Sequence, residues 1–317
     1  MLICAKNEKQ NLVELIPQLQ NQSVEFDLLV VDDFSTDDSL SFLDTSVNDY
    51  SNLKFISASK DIPGKKQALK DGVKSIQEGF IVLTDADCRP ASSDWIKSMA
   101  SSLNEKDMVL GFSPYKKSSG FLNRWIRYES ILTAIQYLSY ALNGNPYMGV
   151  GRNLMYKKAI VEEGALLDEK INLASGDDDL LVNQLANKEN CTIQIDPKSW
   201  VYSEPKHSWS SYFRQKRRHM STATSYKFSH QFMLSLFSAS WILFYVMLVL
   251  FAIKMMWLEI FILFLVRWIS SYLSITKLFP KLGEKKMILH WFYLDPLTAI
   301  YFLIFSIFAL APQSSRW

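Results

Sequence analysis

Residues 232–253 form a run of 22 residues without a single charge. A helix of that length crosses roughly 30 Å of hydrocarbon, so this run commits part of the chain to a membrane. A second apolar stretch covers 255–276 and carries Glu259 and Arg267. A third covers 288–310 and is interrupted by Asp295-Pro296. A soluble domain within a 317-residue chain could not bury three such stretches together. Charges inside a membrane are costly. Arg267 and Asp295 are therefore expected to pair, to serve a function, or to lie near an interface. The intervening loop, 277–286, holds Lys277, Lys281, Lys285 and Lys286 against one acid, Glu284. By the positive-inside rule it is cytoplasmic. Three spans then place the N-terminal region in the cytosol and the C-terminus outside, as in a multi-pass protein of the cell (inner) membrane.

The chain before residue 232 reads differently. Residues 1–205 alternate apolar strand-like runs with amphipathic helical segments. Leu2–Ala5, residues 26–31, Leu53–Ser57 and residues 80–84 read as strands. Leu12, Leu15, Ile16 and Leu19 share one helical face, as do Leu69, Val73 and Ile76. Such alternation implies βαβ units and a mostly parallel sheet flanked by helices, an α/β fold. Further on, Phe121–Leu142 reads as a long aromatic-rich helix, 149–156 as a strand, 177–186 as a short helix, and 208–229 as one basic amphipathic helix. From 205 to 231 there are six basic side chains and no acid, Lys206, Arg214, Lys216, Arg217, Arg218 and Lys227. That cluster suits lipid headgroups or a phosphorylated ligand. Three organisational regions follow: 1–205 a cytosolic α/β domain, 206–231 a basic interfacial segment, and 232–311 the membrane region. Cys4, Cys88 and Cys191 lie far apart with no metal-like spacing, which fits a reducing compartment. The net charge of +2 points to no particular partner, and no nucleic acid is expected.

In parallel α/β sheets ligands bind beyond the carboxyl ends of the strands. Two acidic pairs, Asp32/Asp33 and Asp85/Asp87, fall at such ends. On an extended backbone Asp85 and Asp87 would face one side, and two hard oxygen donors suit Mg²⁺ or Mn²⁺ on substrate phosphates. As isolated signals each has an ordinary explanation. Short acidic triplets are common in solvated turns, and Ser35-Thr36-Asp37 supplies candidate caps for the next helix, with Ser35 or Thr36 expected to cap it. Asp177, Asp178 and Asp179 suit a helix N-terminus. Three adjacent acids also repel, which could raise one of them into the range of a general base. Gln215-Lys216-Arg217-Arg218-His219 is either a solvated cationic face or a guanidinium fork for a diphosphate.

Taken in order, these segments resemble the family 2 glycosyltransferases. The resemblance rests on Ala5-Lys6-Asn7-Glu8, Val31 through Asp37, Gly64 through Leu69, Thr84-Asp85-Ala86-Asp87, Gly151 through Tyr156, Gly176-Asp177-Asp178 and Gln215-x-x-Arg218, and covers residues 1–220. It implies a GT-A nucleotide-diphospho-sugar transferase domain with C-terminal transmembrane helices, working by inversion. Asp33 would contact the nucleotide base with Lys65 nearby, Asp85 would face the nucleotide, and Asp87 would hold a divalent metal, Mg²⁺ or Mn²⁺. Asp178 would be the catalytic base, with Asp177 and Asp179 as alternatives. Gln215 and Arg218 would close over the donor. The family's Gln-x-x-Arg-Trp ends here in His219, which alters the acceptor entrance. Trp125, Tyr128, Tyr137 and Tyr140 either line an acceptor groove or pack in a core.

The expected activity is sugar transfer from a nucleoside-diphosphate sugar, UDP-type, to a hydroxyl of a lipid, lipid-linked or polysaccharide acceptor at the membrane. Alternatives are a processive polysaccharide synthase of the same family, disfavoured by the short membrane region, and a catalytically inactive scaffold, disfavoured by the intact acids.

Overall fold

The computed structural model describes residues 1–59, 64–77, 79–163 and 177–310. The chain divides into two compact units. One comprises Met1–Lys116 and Gln136–Pro205; the other comprises Lys117–Ile135 and the described residues from Lys206 on.

The first unit is built on a seven-stranded sheet of order β3-β2-β1-β4-β7-β6-β8. Its strands are β1 (Leu2–Ala5), β2 (Leu28–Asp32), β3 (Leu53–Ser57), β4 (Phe80–Asp85), β6 (Met108–Gly111), β7 (Leu154–Lys157) and β8 (Cys191–Gln194). Only β7 runs against its neighbours; the other pairings are parallel. β1 and β2 are apolar almost throughout and β2 is buried at every position, as expected for strands covered on both faces. The covering helices include α1 (Lys9–Leu19), α2 (Ser39–Asp49), α3 (Lys65–Ser75) and α4 (Trp95–Ser101). α1 buries Leu12, Leu15, Ile16 and Leu19, its one apolar stripe. A second, two-stranded ribbon pairs β5 (Cys88–Pro90) with β9 (Val201–Ser203).

The pairing register positions the acids. Ala5 pairs with Asp32, and Cys4 pairs with Asp85. Asp32 and Asp85 thus end the strands on either side of β1 at nearly one level.

Several local expectations change. The strand expected over 149–156 begins only at Leu154, because Gly151–Asn153 form a 3-10 turn. Neither Ser35 nor Thr36 caps α2. Asp37 accepts from the Ser39 N–H instead (3.0 Å), while Ser35 Oγ and the Thr36 amide engage Asn7. The basic helix expected over 208–229 ends earlier.

The first segment of the second unit ends within α5 (Phe121–Leu142), which supplies residues to both units. The remaining helices of the first unit are α6 (Lys158–Glu163) and α7 (Asp177–Leu185). The second unit holds α8 (Trp209–Ala223), α9 (Phe228–Ile253), α10 (Trp257–Lys281) and α11 (Trp291–Leu310). Between α8 and α9 the Gln231 side-chain amide donates to Thr224 O and Tyr226 O, satisfying carbonyls at the break (3.1 and 2.8 Å). Ranges Phe228–Ile253, Trp257–Lys281 and Lys285–Ser306 are long and apolar enough to cross a membrane. α9 and α10 leave Leu243, Ile253, Phe261 and Val266 exposed, a surface suited to hydrocarbon rather than water. The stretch 277–286 is not simply a loop. α10 continues to Lys281 through Pro280, and Glu284 is buried against Arg127. Arg267 and Asp295 do pair, at 3.2 Å. The Arg267 guanidinium also lies 4.5 Å from the ring centroids of Trp241 and Phe244.

Candidate active site

The site is assembled in the first unit at the carboxyl ends of β1, β2 and β4. Asp33 follows β2 directly and is buried. Its Oδ1 accepts the Gly64 N–H at 2.9 Å, and Lys6 Nζ stands 3.7 Å from Oδ2. Gly64 has φ of 145°, a conformation that requires glycine, and it delivers the next residue as the start of α3. That residue is Lys65, whose Nζ lies 2.5 Å from Asp85 Oδ1. Burial would lower the Lys65 pKa, but Asp85 and Asp178 outweigh it and raise it, so the ammonium stays charged.

Asp85 is the last residue of β4. Ala86 and Asp87 then turn, so the two carboxylates do not converge along an extended strand as the spacing suggested. The turn brings them together instead. Oxygens of Asp85 and Asp87 and the sulfur of Cys88 lie within 4.8 Å of one another.

What shapes that turn is Arg89, a residue the sequence analysis passed over. Its guanidinium donates to Ala86 O and Cys88 O, the carbonyls flanking Asp87, at 3.0 and 2.9 Å. It is anchored in turn by Asn11 and Glu14 of α1 at 3.0 and 2.8 Å. An arginine immediately after an acidic turn, with an acid on the amphipathic face of α1, was the only available signal.

Asp178 sits in the first turn of α7. One of its oxygens accepts the Gly151 N–H. A Cβ on Gly151 would meet Asp178 Cγ at 2.8 Å, so the carboxylate is seated where only glycine leaves room. Lys65, Asp85, Gly151 and Asp178 line one small cleft with Cys4 and Thr84. Asp179 is not among the residues lining that cleft. The Asp177 side chain and Gly176 lie outside the described residues. Tyr137 is buried, donating to Gly111 O, and Tyr140 packs on Tyr147, so both belong to packing.

Gln215, Arg218 and His219 lie on α8 in the second unit, with Arg218 exposed and the other two half-buried. Trp125 is in the same unit, buried, with its indole N–H on Tyr212 Oη at 3.0 Å. Tyr128 is likewise buried there.

The acid cluster fits a hard divalent cation. Burial, and then the charges of Asp85 and Asp87, push the Cys88 thiol well up. It is therefore protonated at neutral pH and a poor ligand, leaving two carboxylates as donors. Asp87 has no cationic partner among the described residues. Such a set holds Mg²⁺ or Mn²⁺ by few protein oxygens and leaves positions for substrate oxygens.

Residues 1–164 match the profile of glycosyl transferase family 2. The chain belongs to that family. No curated protein sequence matches the chain. Among solved structures the transferase resembles S. aureus TarS 1-349 in complex with UDP, with a TM-score of 0.52 at 18% identity, over 73% of this chain and 67% of that one. It also resembles the mannosyltransferase PcManGT from Pyrobaculum calidifontis in complex with GDP-Man and Mn²⁺. There the TM-score is 0.53 at 14% identity, over 95% of this chain and 86% of that one. At these identities the likeness is one of fold. The transferase is a glycosyltransferase of GT-A architecture whose chain continues into helices able to span a membrane.

Proposed function

We propose that the protein is an inverting glycosyltransferase that moves a sugar from a nucleoside-diphosphate sugar, UDP-type, to a hydroxyl of a lipid or lipid-linked acceptor, with its catalytic unit in the cytosol. The observation that carries this reading is the Asp178 carboxylate, seated on the Gly151 N–H and sharing a cleft with Lys65 and Asp85. A carboxylate accepting one backbone bond keeps a second oxygen for a substrate proton. The acceptor oxygen forms its bond to the anomeric carbon as the bond to the diphosphate oxygen breaks. The acceptor proton passes to Asp178, and the electron pair leaves with the nucleoside diphosphate. A divalent ion, when bound at Asp87, would neutralise charge on that leaving group.

Asp33 and Lys65 are assigned to the nucleoside end of the donor and Asp85 to its phosphates. Gln215 and Arg218 are assigned to donor binding by the family motif, and Trp125 and His219 to the acceptor side. UDP and GDP-Man in the two structural neighbours support a nucleotide-sugar donor. His219 in place of the family's tryptophan favours single transfers over processive synthesis. Lys277, Lys281, Lys285 and Lys286 support the orientation in an inner membrane.

The test is release of nucleoside diphosphate from a panel of sugar nucleotides by the detergent-solubilised protein with bacterial lipid extract, with and without EDTA. Wild type should act on one donor and stop on chelation. Asp178→Asn should lower kcat by about 10²–10⁴-fold with donor affinity retained. Full activity in Asp178→Asn removes it as the base. No release and no donor binding by wild type would sink the transferase reading in this form.

A further inference from the structure

Among the cations described around the acid cluster, Lys65 is engaged by Asp85, Lys6 by Asp33 and Arg89 by Glu14. Arg152 differs. No carboxylate among the described residues lies within ion-pair distance of it. Its Nε donates to Ser113 Oγ at 2.7 Å and its Nη2 to Ser113 O at 3.3 Å. Its guanidinium carbon stands 5.0 Å from the Tyr115 ring centroid. Neutral groups thus hold a half-buried charge in one orientation, and Nη1 keeps both N–H groups without a partner among the described residues.

The backbone beneath it is fixed on both sides. Gly151 donates to Asp178, and the Asn153 side chain bonds Trp95 Nε1, Phe112 O and Ser199 O at 2.7–2.9 Å. The position follows from the pairing. Tyr115, under the guanidinium, bridges to Ser203, and Ser203 pairs with Cys88, the residue after Asp87. Two strand spacings, about 10 Å, therefore separate this corner from the acidic turn. The Asp178 corner is one residue away in the chain.

A half-desolvated guanidinium without an anion is expensive unless a ligand brings one. A polyanion entering beside Asp85, Asp87 and Asp178 meets like charge and needs a fixed cation that no protein acid already holds. The planar edge of arginine matches two phosphate oxygens. We infer that Arg152 is a phosphate-binding residue of this site, taking either the donor's diphosphate or the phosphate of a phosphorylated lipid acceptor. The inference rests on the transferase reading above.

The experiment uses full-length protein in detergent with Mn²⁺. Affinities for UDP and GDP, and for uridine and guanosine, are measured for wild type, Arg152→Gln and Arg152→Lys. Inhibition of donor turnover by farnesyl phosphate and by farnesol is measured in parallel. If the donor supplies the phosphate, Arg152→Gln loses at least about 10-fold for one diphosphate while its nucleoside binds as before. If the acceptor supplies it, diphosphate affinity is kept and farnesyl phosphate loses its advantage over farnesol. Arg152→Lys keeps the charge without the fork and should recover part of either loss. Wild-type phosphate affinities in a folded Arg152→Gln overturn the inference and leave the transferase reading standing. If that variant does not fold, unchanged phosphate affinities in both Arg152→Lys and Ser113→Ala, which removes the Nε anchor of the fork, overturn it. A wild type that binds no nucleoside diphosphate overturns the transferase reading and this inference with it.

Discussion

In the second unit each described buried acid has a cation of its own. Glu284 sits on Arg127, Glu129 on Lys216 and Asp295 on Arg267, and these six side chains are between 5% and 21% exposed. In the first unit the acids outnumber their partners. Asp85 has Lys65, whose charge Asp178 also feels, and Asp33 has Lys6, but no cation lies within ion-pair distance of Glu8, Asp32, Asp87 or Asp178 among the described residues. One oxygen of Asp32 is buried with no hydrogen bond among the described residues. Low-dielectric surroundings make unpaired charge expensive in both places. The second unit has settled that cost internally, so its charges serve assembly. The first leaves it open at the ends of the strands, an arrangement that suits a hard divalent cation.

The largest effect is expected where a settled pair is broken. Asp295→Asn leaves Arg267 charged among Trp241, Phe244 and Tyr245 and should cost about 3–5 kcal/mol of stability, measured as a fall in the melting transition in detergent. Replacing both members, Arg267→Met with Asp295→Leu, should recover most of it. Donor turnover per folded molecule should not change. A variant that melts normally yet loses turnover would move this pair to the chemistry and end the contrast between the units.

Next is Asp87→Asn, which relieves crowding of like charge instead of breaking a pair. Turnover should fall about 100-fold and lose its sensitivity to EDTA, while the metal-free melting temperature holds or rises. A large drop in stability would show that Asp87 has a structural partner. Arg89→Ala follows. It frees the carbonyls on either side of Asp87 and should weaken Mn²⁺ binding by about 10- to 100-fold, as loss of a residue supporting a metal ligand does. Arg89→Lys should restore a fraction. Mn²⁺ affinity at the wild-type level in Arg89→Ala would mean that the turn holds its shape without the clamp.

Legibility in the sequence followed the range over which each feature is determined. β1, β3 and α5 were readable to the residue, because a short apolar-rich run or a long helical segment is a local property. The break between α8 and α9 was not, since residues 224–227 contain neither Gly nor Pro and the stop is made by Gln231 reaching back. The acidic turn was located but its geometry was misread, because a strand end cannot be told from a strand interior by alternation. The clamp by Arg89 was invisible for a stronger reason: its partners Asn11 and Glu14 lie 78 and 75 residues away. The three acids at 177–179 could not be ranked from spacing. Successive helical residues point about 100° apart, and which of them meets Gly151 depends on where β7 leaves that glycine.

The smaller predictions sharpen the reading of the first unit as a field of surplus acid. Burial raises the Glu8 carboxyl; a hydrogen bond from Asn11 opposes this, and the charges of Asp87, Asp85 and Asp37 add to it. A carboxyl raised in the fold costs stability as pH climbs from its ordinary 4.5 through the folded value. Glu8→Gln should therefore stabilise the metal-free protein by about 0.5 kcal/mol at pH 7. It should do nothing at pH 4, where both forms are largely neutral, and less once Mn²⁺ is bound. Equal effects at both pH values would show that the charge is not the cause.

The smallest expected effect is at Cys88, the third member of the cluster by distance alone. Its thiol is buried and held protonated by the same acids, so it should contribute no metal bond. Cys88→Ser should leave Mn²⁺ affinity within about 2-fold at a stability cost near 1 kcal/mol. The folded wild type should resist alkylation at this position at pH 8. A 10-fold loss of Mn²⁺ affinity would instead mean that metal binding strips the proton from sulfur. The site would then favour softer ions such as Zn²⁺ over Mg²⁺, and the two-carboxylate account of the cluster would have to be given up.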